Sequence, residues 1–434
     1  MHSSNQRTLL TAELWTEVFA HVEAAQIRYR SWNDIEDDHQ NQRQLHQLRL
    51  VCKQFNEIFA AHPLFLRRLS LPEAFPSSSL PSLLAWLQQN KSCLKIFEAN
   101  CASPTVDVVL SALTSITSQL KFINVGEVSI ARSIQLLGGF SNLEKCSLWA
   151  VDKAVISLYP LQALPKLRSL WLRGCFDGLA SLEHLTHMQC FAGLLDCTGS
   201  CKFVRTLQQL DVKDTTLQNF DISVCQGLQV LKLDKCSGRV IHHHSVVYEP
   251  GQSSLPVGLS LLTKLETLSL ASTVDADELI SLAWVTELTT LSTLQDLSIK
   301  SFYVNSWLIK SVACLSRLTR LVVRGPDHQQ FSDSPWLVLD LDFNWCSLKS
   351  LKHLFLSHSK LEVGPGTASL LLLQHLTDIT LHYVMPETVA SVEHYVALIH
   401  SLVTLRPHVR LDFQTTAIDH FLDYGKHGAV TGQQ

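Results

Sequence analysis

Charge is scarce in this 434-residue sequence: Asp, Glu, Lys and Arg make up 17% of it, against 46% hydrophobic residues. That balance excludes a chain disordered throughout and implies a large buried core. A basic surplus is missing too. The formal net charge is −4, which removes the electrostatic footprint expected of a nucleic-acid-binding domain, so no nucleic-acid partner is expected. No stretch reaches the roughly 18 apolar residues of a membrane helix. The run SLLLLQHL at 369–376 is far shorter and is interrupted by polar residues, so no membrane partner is expected either. The opening MHSSNQRTLLTAELW lacks a basic segment followed by a long apolar one, and so does not read as a secretory signal. A cytoplasmic or nuclear location is the expectation that follows, with the 12 cysteines as reduced, mostly buried thiols rather than a disulfide framework.

The signatures of common chemistries are missing as well. There is no G-x-x-x-x-G-K-[ST] phosphate loop, no G-x-S-x-G nucleophile turn and no H-E-x-x-H zinc motif. Cysteines do not form paired C-x-x-C sets; Cys197 and Cys201 have no second pair at zinc-finger spacing. His242, His243 and His244 are adjacent, so their side chains diverge, and a solvated loop triplet is expected rather than a metal site. No metal, no cofactor and no enzyme activity are expected of this chain.

What the sequence has in abundance is repetition. The phrase L-x-x-L-x-L, or a close apolar variant, recurs as LRSLWL (167–172), LQQLDV (207–212), LQVLKL (228–233), LETLSL (265–270), LQDLSI (294–299), LTRLVV (318–323), LKHLFL (351–356) and LTDITL (376–381). LKFINV (120–125) and LEKCSL (143–148) fit with one change, and LKIF (94–97) and LRRLSL (66–71) are looser. Between second-place residues the steps are 26 from Phe97 to Ile123, 23 to Cys146, 24 to Leu170, 21 from Leu210 to Leu231, and 29 from Leu268 to Leu297. Steps of 37 (Leu231 to Leu268) and 33 (Leu321 to Leu354) mark insertions, placed at 237–259 and 325–337 and rich in loop-forming residues. The step of 40 from Leu170 to Leu210 hides one degenerate repeat near Met188 to Leu195.

This period is that of leucine-rich repeats. In L-x-x-L-x-L the last two leucines are two residues apart and point to one side of a short strand, while the residues between them point to the other. Each repeat buries its leucines only against its neighbours. The expected fold is therefore α/β: a curved parallel sheet along the concave side, with helices and loops on the convex side. SLLAWLQQN (82–90) and VASVEHYVALIHSLVTL (389–405) have helical apolar spacing. Five residues after the second place come Cys175, Thr215, Cys236, Thr273 and Ser359, small polar groups suited to bonding loop backbone. Asparagine is missing there, which points to an irregular subtype.

The outward places of the phrase nominate a binding surface. Trp149 and Arg173 occupy the same place in successive repeats and should be lateral neighbours, with Trp171 diagonal to Trp149 and Lys145 and Phe122 nearby. Tryptophan and arginine on a rigid face are the residues expected at binding hot spots. Arg320, Arg324, His353, Phe355 and His382 form a second candidate group. A covering loop, or shielding of the sheet with no ligand at all, is the alternative for both, and the two insertions are either rims of the concavity or disordered.

The first 60 or so residues read differently. Leu10, Leu14, Val18 and Val22 follow helical spacing beside Phe19, with Thr11 as N-cap and Glu13 near the positive helix start. Leu45, Leu48, Val51, Cys52, Phe55, Ile58 and Phe59 form a second stripe. The two stripes resemble the F-box, whose phrases read Leu-Pro-x-Glu-Leu, an Ile-Leu pair, and Val-Cys-Lys with an aromatic. Leu10, Glu13 and Leu14 take the first, Val18 and Phe19 the second, and Val51, Cys52, Lys53 and Phe55 the third. Thr11 stands in place of the proline, and the polar insert 23–44 separates the halves.

This divides the chain into a helical module at 8–70, a solenoid at 71–424 and a disordered tail at 425–434. The resemblance implies a substrate receptor of an SCF-type ubiquitin ligase. Leu10, Glu13, Leu14, Val18, Phe19, Val51, Cys52 and Phe55 would dock on a Skp-type adaptor, and through it a cullin. A target protein would lie against Trp149, Trp171, Arg173, Arg320, Arg324 and Phe355. The alternatives are a non-ligase interaction scaffold whose first helices only cap the array, and a small-molecule sensor.

Overall fold

The computed structural model describes residues 68–414 apart from 72–76, 90–93, 100–102, 117–118, 129, 151–154, 197–204, 219–221, 237–257, 272–281, 301–305, 326–337, 341–344, 363–364 and 387–388. The helical head with its adaptor-docking residues, the insert 23–44, His242 to His244 and the tail lie outside the described residues.

Each phrase forms one strand, and alternation decides its two faces. In Val230–Asp234, Leu231 and Leu233 are buried while Val230, Lys232 and Asp234 are half-exposed. Every described strand pairing is parallel and the strands form one 17-stranded sheet. Its main ladder follows chain order. Arg68–Leu71 pairs with Ile96–Ala99, which pairs with Phe122–Val128, then Lys145–Ala150, Ser169–Arg173, His187–Asp196 and Gln209–Gln218. It continues through Val230–Asp234, Thr267–Ala271, Asp296–Lys300, Arg320–Arg324, His353–Glu362, Asp378–Pro386 and Arg410–Gln414. The step of 40 residues is split at Met188, which pairs with Leu170 on one side and Leu210 on the other.

A carbonyl ladder fixes this register. The residue just before each strand lends its carbonyl oxygen to two successive N–H groups of the next repeat. Gln295 O accepts from Thr319 N at 2.8 Å and Arg320 N at 3.0 Å, and Arg168 O accepts from Thr186 N and His187 N, both at 2.9 Å. Threonine in that place adds a third bond: Thr186 Oγ1 donates to Arg168 O at 3.0 Å and Thr319 Oγ1 to Gln295 O at 3.0 Å. Of the small polar residues five places on, Thr215 Oγ1 donates to Lys213 O at 2.7 Å and Cys236 Sγ to Val212 O at 3.3 Å. Burial pushes the Cys236 thiol up to about 12, so it stays a protonated donor.

The approach to each strand extends the apolar pattern backwards in steps of three: Leu161, Leu164, Leu167, then Leu170 and Leu172, all buried. Residues i and i+3 share a face in a 3₁₀ helix. Leu164 N accordingly donates to Leu161 O at 3.0 Å, and Leu167 N to Leu164 O at 3.2 Å. The convex side thus alternates between two kinds of element. Helices Leu80–Gln89, Ser103–Ile116, Ile130–Leu137, Leu282–Leu288, Ser306–Val312 and Val389–Leu405 serve some repeats. The 3₁₀ turns Tyr159–Ala163, Leu179–Ser181, Ile222–Val224, Leu259–Leu261, Trp345–Ser347 and Pro365–Leu372 serve others. Both deliver leucines to one continuous core that runs the length of the array.

The insertions leave the ladder unbroken, since Leu231 pairs directly with Leu268 and Leu321 with Leu354. Their expected bounds need trimming. Gly258 N and Leu259 N both donate to Glu287 Oε2 at 2.7 Å and Leu259 is fully buried, so these two residues belong to the repeat. Gly325 N donates to Ser357 O at 2.9 Å and likewise continues the scaffold.

Candidate functional site

Three neighbouring strands carry the most distinctive part of the concave face. In Ser169–Arg173, Leu170 and Leu172 turn into the core, which leaves Trp171 and Arg173 on the opposite face. Trp149 pairs laterally with Arg173, and Arg173 with Phe191. Trp171 lies opposite Ser147 on one side and Gln189 on the other, so its ring reaches both aromatic neighbours diagonally. Trp149 and Trp171 meet edge to face with centroids 6.0 Å apart and planes at 85°. Trp171 and Phe191 repeat that geometry at 5.8 Å and 72°. The guanidinium of Arg173 sits 5.4 Å from the Trp149 ring centroid, within cation–π range.

Beside and beneath the rings, polar groups are sealed without partners. Ser147 is fully buried, and neither its Oγ, nor Asn124 Oδ1, nor Trp149 Nε1 has a hydrogen-bond partner. Asn124 pairs laterally with Ser147, and Ser147 with Trp171, so the unmade bonds lie in the row of outward places beside the strip.

The second candidate group is laid out differently. Arg320 and Arg324 are at opposite ends of one strand, about 13 Å apart at 3.3 Å per residue, so the fold does not bring them together. Arg320 Nη1 is committed to Asp296 Oδ2 at 3.1 Å. Phe355 packs edge to face on His382 at 5.6 Å, His382 Nε2 lies 3.3 Å from Asp412 Oδ2, and His353 Nδ1 lies 2.7 Å from Asp378 Oδ2. The Thr377 hydroxyl, then His353, hold the Asp378 carboxyl below its ordinary range. Six strand spacings separate Trp171 from Arg320 along the ladder, roughly 29 Å at about 4.8 Å each.

Between the two groups lies a charge lattice that the sequence reading passed over. Asp211, Lys213, Lys232 and Asp234 occupy outward places on adjacent strands. Lys232 Nζ is 3.9 Å from Asp211 Oδ2 and Lys213 Nζ is 3.8 Å from Asp234 Oδ2. Burial raises the Asp211 carboxyl, and Lys232 opposes that rise. The signal was there in LDVKD and LKLD, whose residues between the leucines alternate in sign. Phe191 was passed over as well, because Met188 and Cys190 replace the leucines that would have flagged its strand.

The described residues contain no group of three or more His, Cys, Asp or Glu placed to hold a metal ion. None of their helices is long and apolar enough to cross a membrane. The fold is that of a leucine-rich-repeat solenoid. No protein-family model matches the chain, and no curated protein matches it.

Among solved structures, an internalin (inlF) from Listeria monocytogenes is 16% identical, with 76% of this chain and 83% of that one covered at a TM-score of 0.49. The leucine-rich-repeat ectodomain of the Arabidopsis receptor kinase HAESA, in complex with a peptide hormone ligand, is 16% identical over 80% of this chain and 53% of that one, TM-score 0.46. A plant peptide hormone receptor, RGFR1, gives 15%, 69% and 50%, TM-score 0.43. This chain spans about half the length of the two plant receptor chains.

Proposed function

We propose that this chain is a leucine-rich-repeat protein-interaction module whose concave face receives a partner against Trp149, Trp171, Phe191 and Arg173. The observation that carries the reading is the aromatic strip itself: three rings joined by two edge-to-face contacts through Trp171, and one arginine, all set on paired strands. Aromatic and arginine side chains are over-represented among residues that dominate binding energy. Rings already held by their neighbours lose little conformational freedom when a partner arrives. Catalysis is no part of this role. Arg320, Arg324 and Phe355 would extend the contact along the face.

A finer reading is favoured by the head phrases Leu10 to Leu14, Val18-Phe19 and Val51 to Phe55. By their resemblance to the F-box, the chain would dock on a Skp-type adaptor, and through it a cullin, in the cytoplasm or nucleus. It would then hold its target for ubiquitin transfer by proximity. Co-purification separates the two readings. Trp171→Ala should lose the recovered target in either case, and equal recovery by that variant would remove the concave assignment. Leu14→Asp with Val18→Asp should lose the adaptor only if the finer reading holds; without any adaptor in the wild-type eluate, the scaffold reading remains.

A further inference from the structure

The strands that carry the aromatic strip also carry, at their N-terminal ends, a cavity of about 510 Å³ lined by Glu144, Lys145, Lys166, Arg168, Ser169, Thr186 and His187. Its position follows from the register. Lys145, Ser169 and His187 are lateral neighbours in the first outward place, and Glu144, Arg168 and Thr186 precede them in the carbonyl ladder.

The charge of this cavity is one-sided. Its single carboxylate, Glu144, is already paired with Lys121 at 2.7 Å. Lys145 has no carboxylate partner among the described residues. Lys166 Nζ donates to the neutral Asn142 Oδ1 at 2.5 Å, and Arg168 Nη1 to the His184 carbonyl at 2.9 Å, so neither meets a neutralising carboxylate among the described residues. All three cationic side chains are exposed. One of them reaches His187: burial first, then the charge of Lys145, holds the His187 imidazole below its ordinary range. His187 is therefore neutral near pH 7, with Nδ1 engaged by Thr186 Oγ1 at 2.8 Å.

We infer that this cavity binds the carboxylate side chains of an acidic segment of a protein partner. A protein source is favoured by continuity. Four residues along the same strands, about 13 Å at 3.3 Å per residue, stand Trp149 and Phe191, with Trp171 half-way. An extended segment that places an apolar side chain on the rings sets residues two to four positions away over the cationic cavity. The inference rests on the aromatic strip being a partner surface, and it adds the chemistry of the partner: acidic residues flanking an apolar one. With the chain at a net charge of −4, attraction of such a segment has to be local rather than global.

The test uses the full chain and a fluorescein-labelled peptide, Phe-Gly-Gly-Gly-Glu-Glu-Glu, read by fluorescence anisotropy. Binding should weaken as salt is raised, about tenfold for Lys145→Glu and again for Lys166→Glu, with a smaller loss for Lys166→Gln. Replacing the three glutamates of the probe by glutamine should give a comparable loss. Lys349→Glu, an exposed site on a distant repeat, should change nothing. Unchanged affinity in the two Lys→Glu variants, equal binding of the glutamine probe, or an equal loss in Lys349→Glu overturns the inference. Trp171→Ala keeps the two readings apart. Loss of the probe with Lys145→Glu but not with Trp171→Ala upholds the carboxylate site and counts against the aromatic one. Loss with Trp171→Ala but not with the lysine variants does the reverse.

Discussion

Replacing Gly193 by alanine should be among the most damaging single-methyl additions in the array. A Cβ built on Gly193 falls 1.8 Å from Gly174 O, 2.3 Å from Gly174 C and 2.8 Å from its Cα. All three are backbone atoms, so no side chain can rotate away. Ordinary C···O contact is about 3.3 Å or more, so the two strands must part by roughly 1.5 Å. Gly174 cannot yield toward the preceding strand: its φ is +115°, and a Cβ there would itself meet Ala150 Cβ at 2.6 Å. Parting the strands also stretches the bond from Gly174 N to Phe191 O, now 3.2 Å. Overpacking costs about 1–3 kcal/mol and a lost hydrogen bond about 0.5–1.5 kcal/mol, which together give about 1.5–4.5 kcal/mol. Urea denaturation should show that loss as a lower midpoint. Because Arg173 and Phe191 flank the clash, partner binding to the aromatic strip should fall with it. The adjacent Ala192, at φ +47°, supplies the opposite control: Ala192→Gly relieves left-handed strain and should be neutral or slightly stabilising. If Gly193→Ala leaves the unfolding free energy within about 0.5 kcal/mol of wild type, the close approach of these strands is wrong as described.

Three further outcomes are expected. Glu287→Ala removes the carboxylate that accepts from the N–H groups of Gly258 and Leu259 and should cost about 1–2 kcal/mol, as loss of a helix-start cap does; Glu287→Gln should retain part of it in the same urea titration. Ser147→Ala deletes a fully buried hydroxyl with no partner, so stability should hold or rise by up to about 1 kcal/mol, and a loss of more than that would reveal a bond to the hydroxyl. For His187, burial and Lys145 disfavour the charged ring in the folded chain, so the unfolded chain takes up its proton first as pH falls. Its contribution is full above about pH 6.5 and declines below it. His187→Asn should flatten the dependence of the urea midpoint between pH 7.5 and 5.5, and an unchanged slope would show that other groups govern it.

The repeat is legible in the sequence because a leucine every second residue can be satisfied only by a one-sided strand, and a strand of that kind needs neighbours. Once two phrases were aligned, the lateral pairing of Trp149 with Arg173 followed from counting, and the ladder has them paired. Phe191 escaped because its strand carries Met188 and Cys190 in place of leucine, although both are buried in the same way. The last strand, Arg410–Gln414, escaped because His408 stands where the leading leucine is expected. The cationic cavity could not be found by reading strands alone. Lys166 and Arg168 lie on either side of Leu167, in the approach to the strand, and only the parallel register lays them beside Lys145 and His187. The helical head raises a separate matter, since its phrases lie outside the described residues and its role rests on resemblance.

The placement of the aromatic strip has a physical reason in the convex elements behind it. Strands in a sheet sit about 4.8 Å apart, whereas packed helices need about 8–10 Å between axes. Repeats backed by helices must therefore fan out on the convex side and crowd or tilt their concave side chains. The step from Leu170 to Met188 is 18 residues and the step to Leu210 is 22, too short for a strand, two turns and a full helix. The first of these is backed instead by the thin turn Leu179–Ser181, and the repeat before it by Tyr159–Ala163. Neighbouring strands backed by thin turns have less need to fan out, so rings projecting from their concave side are less crowded together. Trp171 accordingly meets a ring on each side, at 6.0 and 5.8 Å. The short step from Leu170 to Met188 also brings Gly174 against Gly193 and sets His187 beside Lys166 and Arg168 at one cavity. Inserting a helical turn between Leu179 and Leu185 should therefore disperse all three features at once. Loss of the acidic probe, loss of the partner and a changed tryptophan emission would then appear together, whereas survival of either binding activity would show that local side-chain chemistry, not the spacing of the repeats, holds the surface.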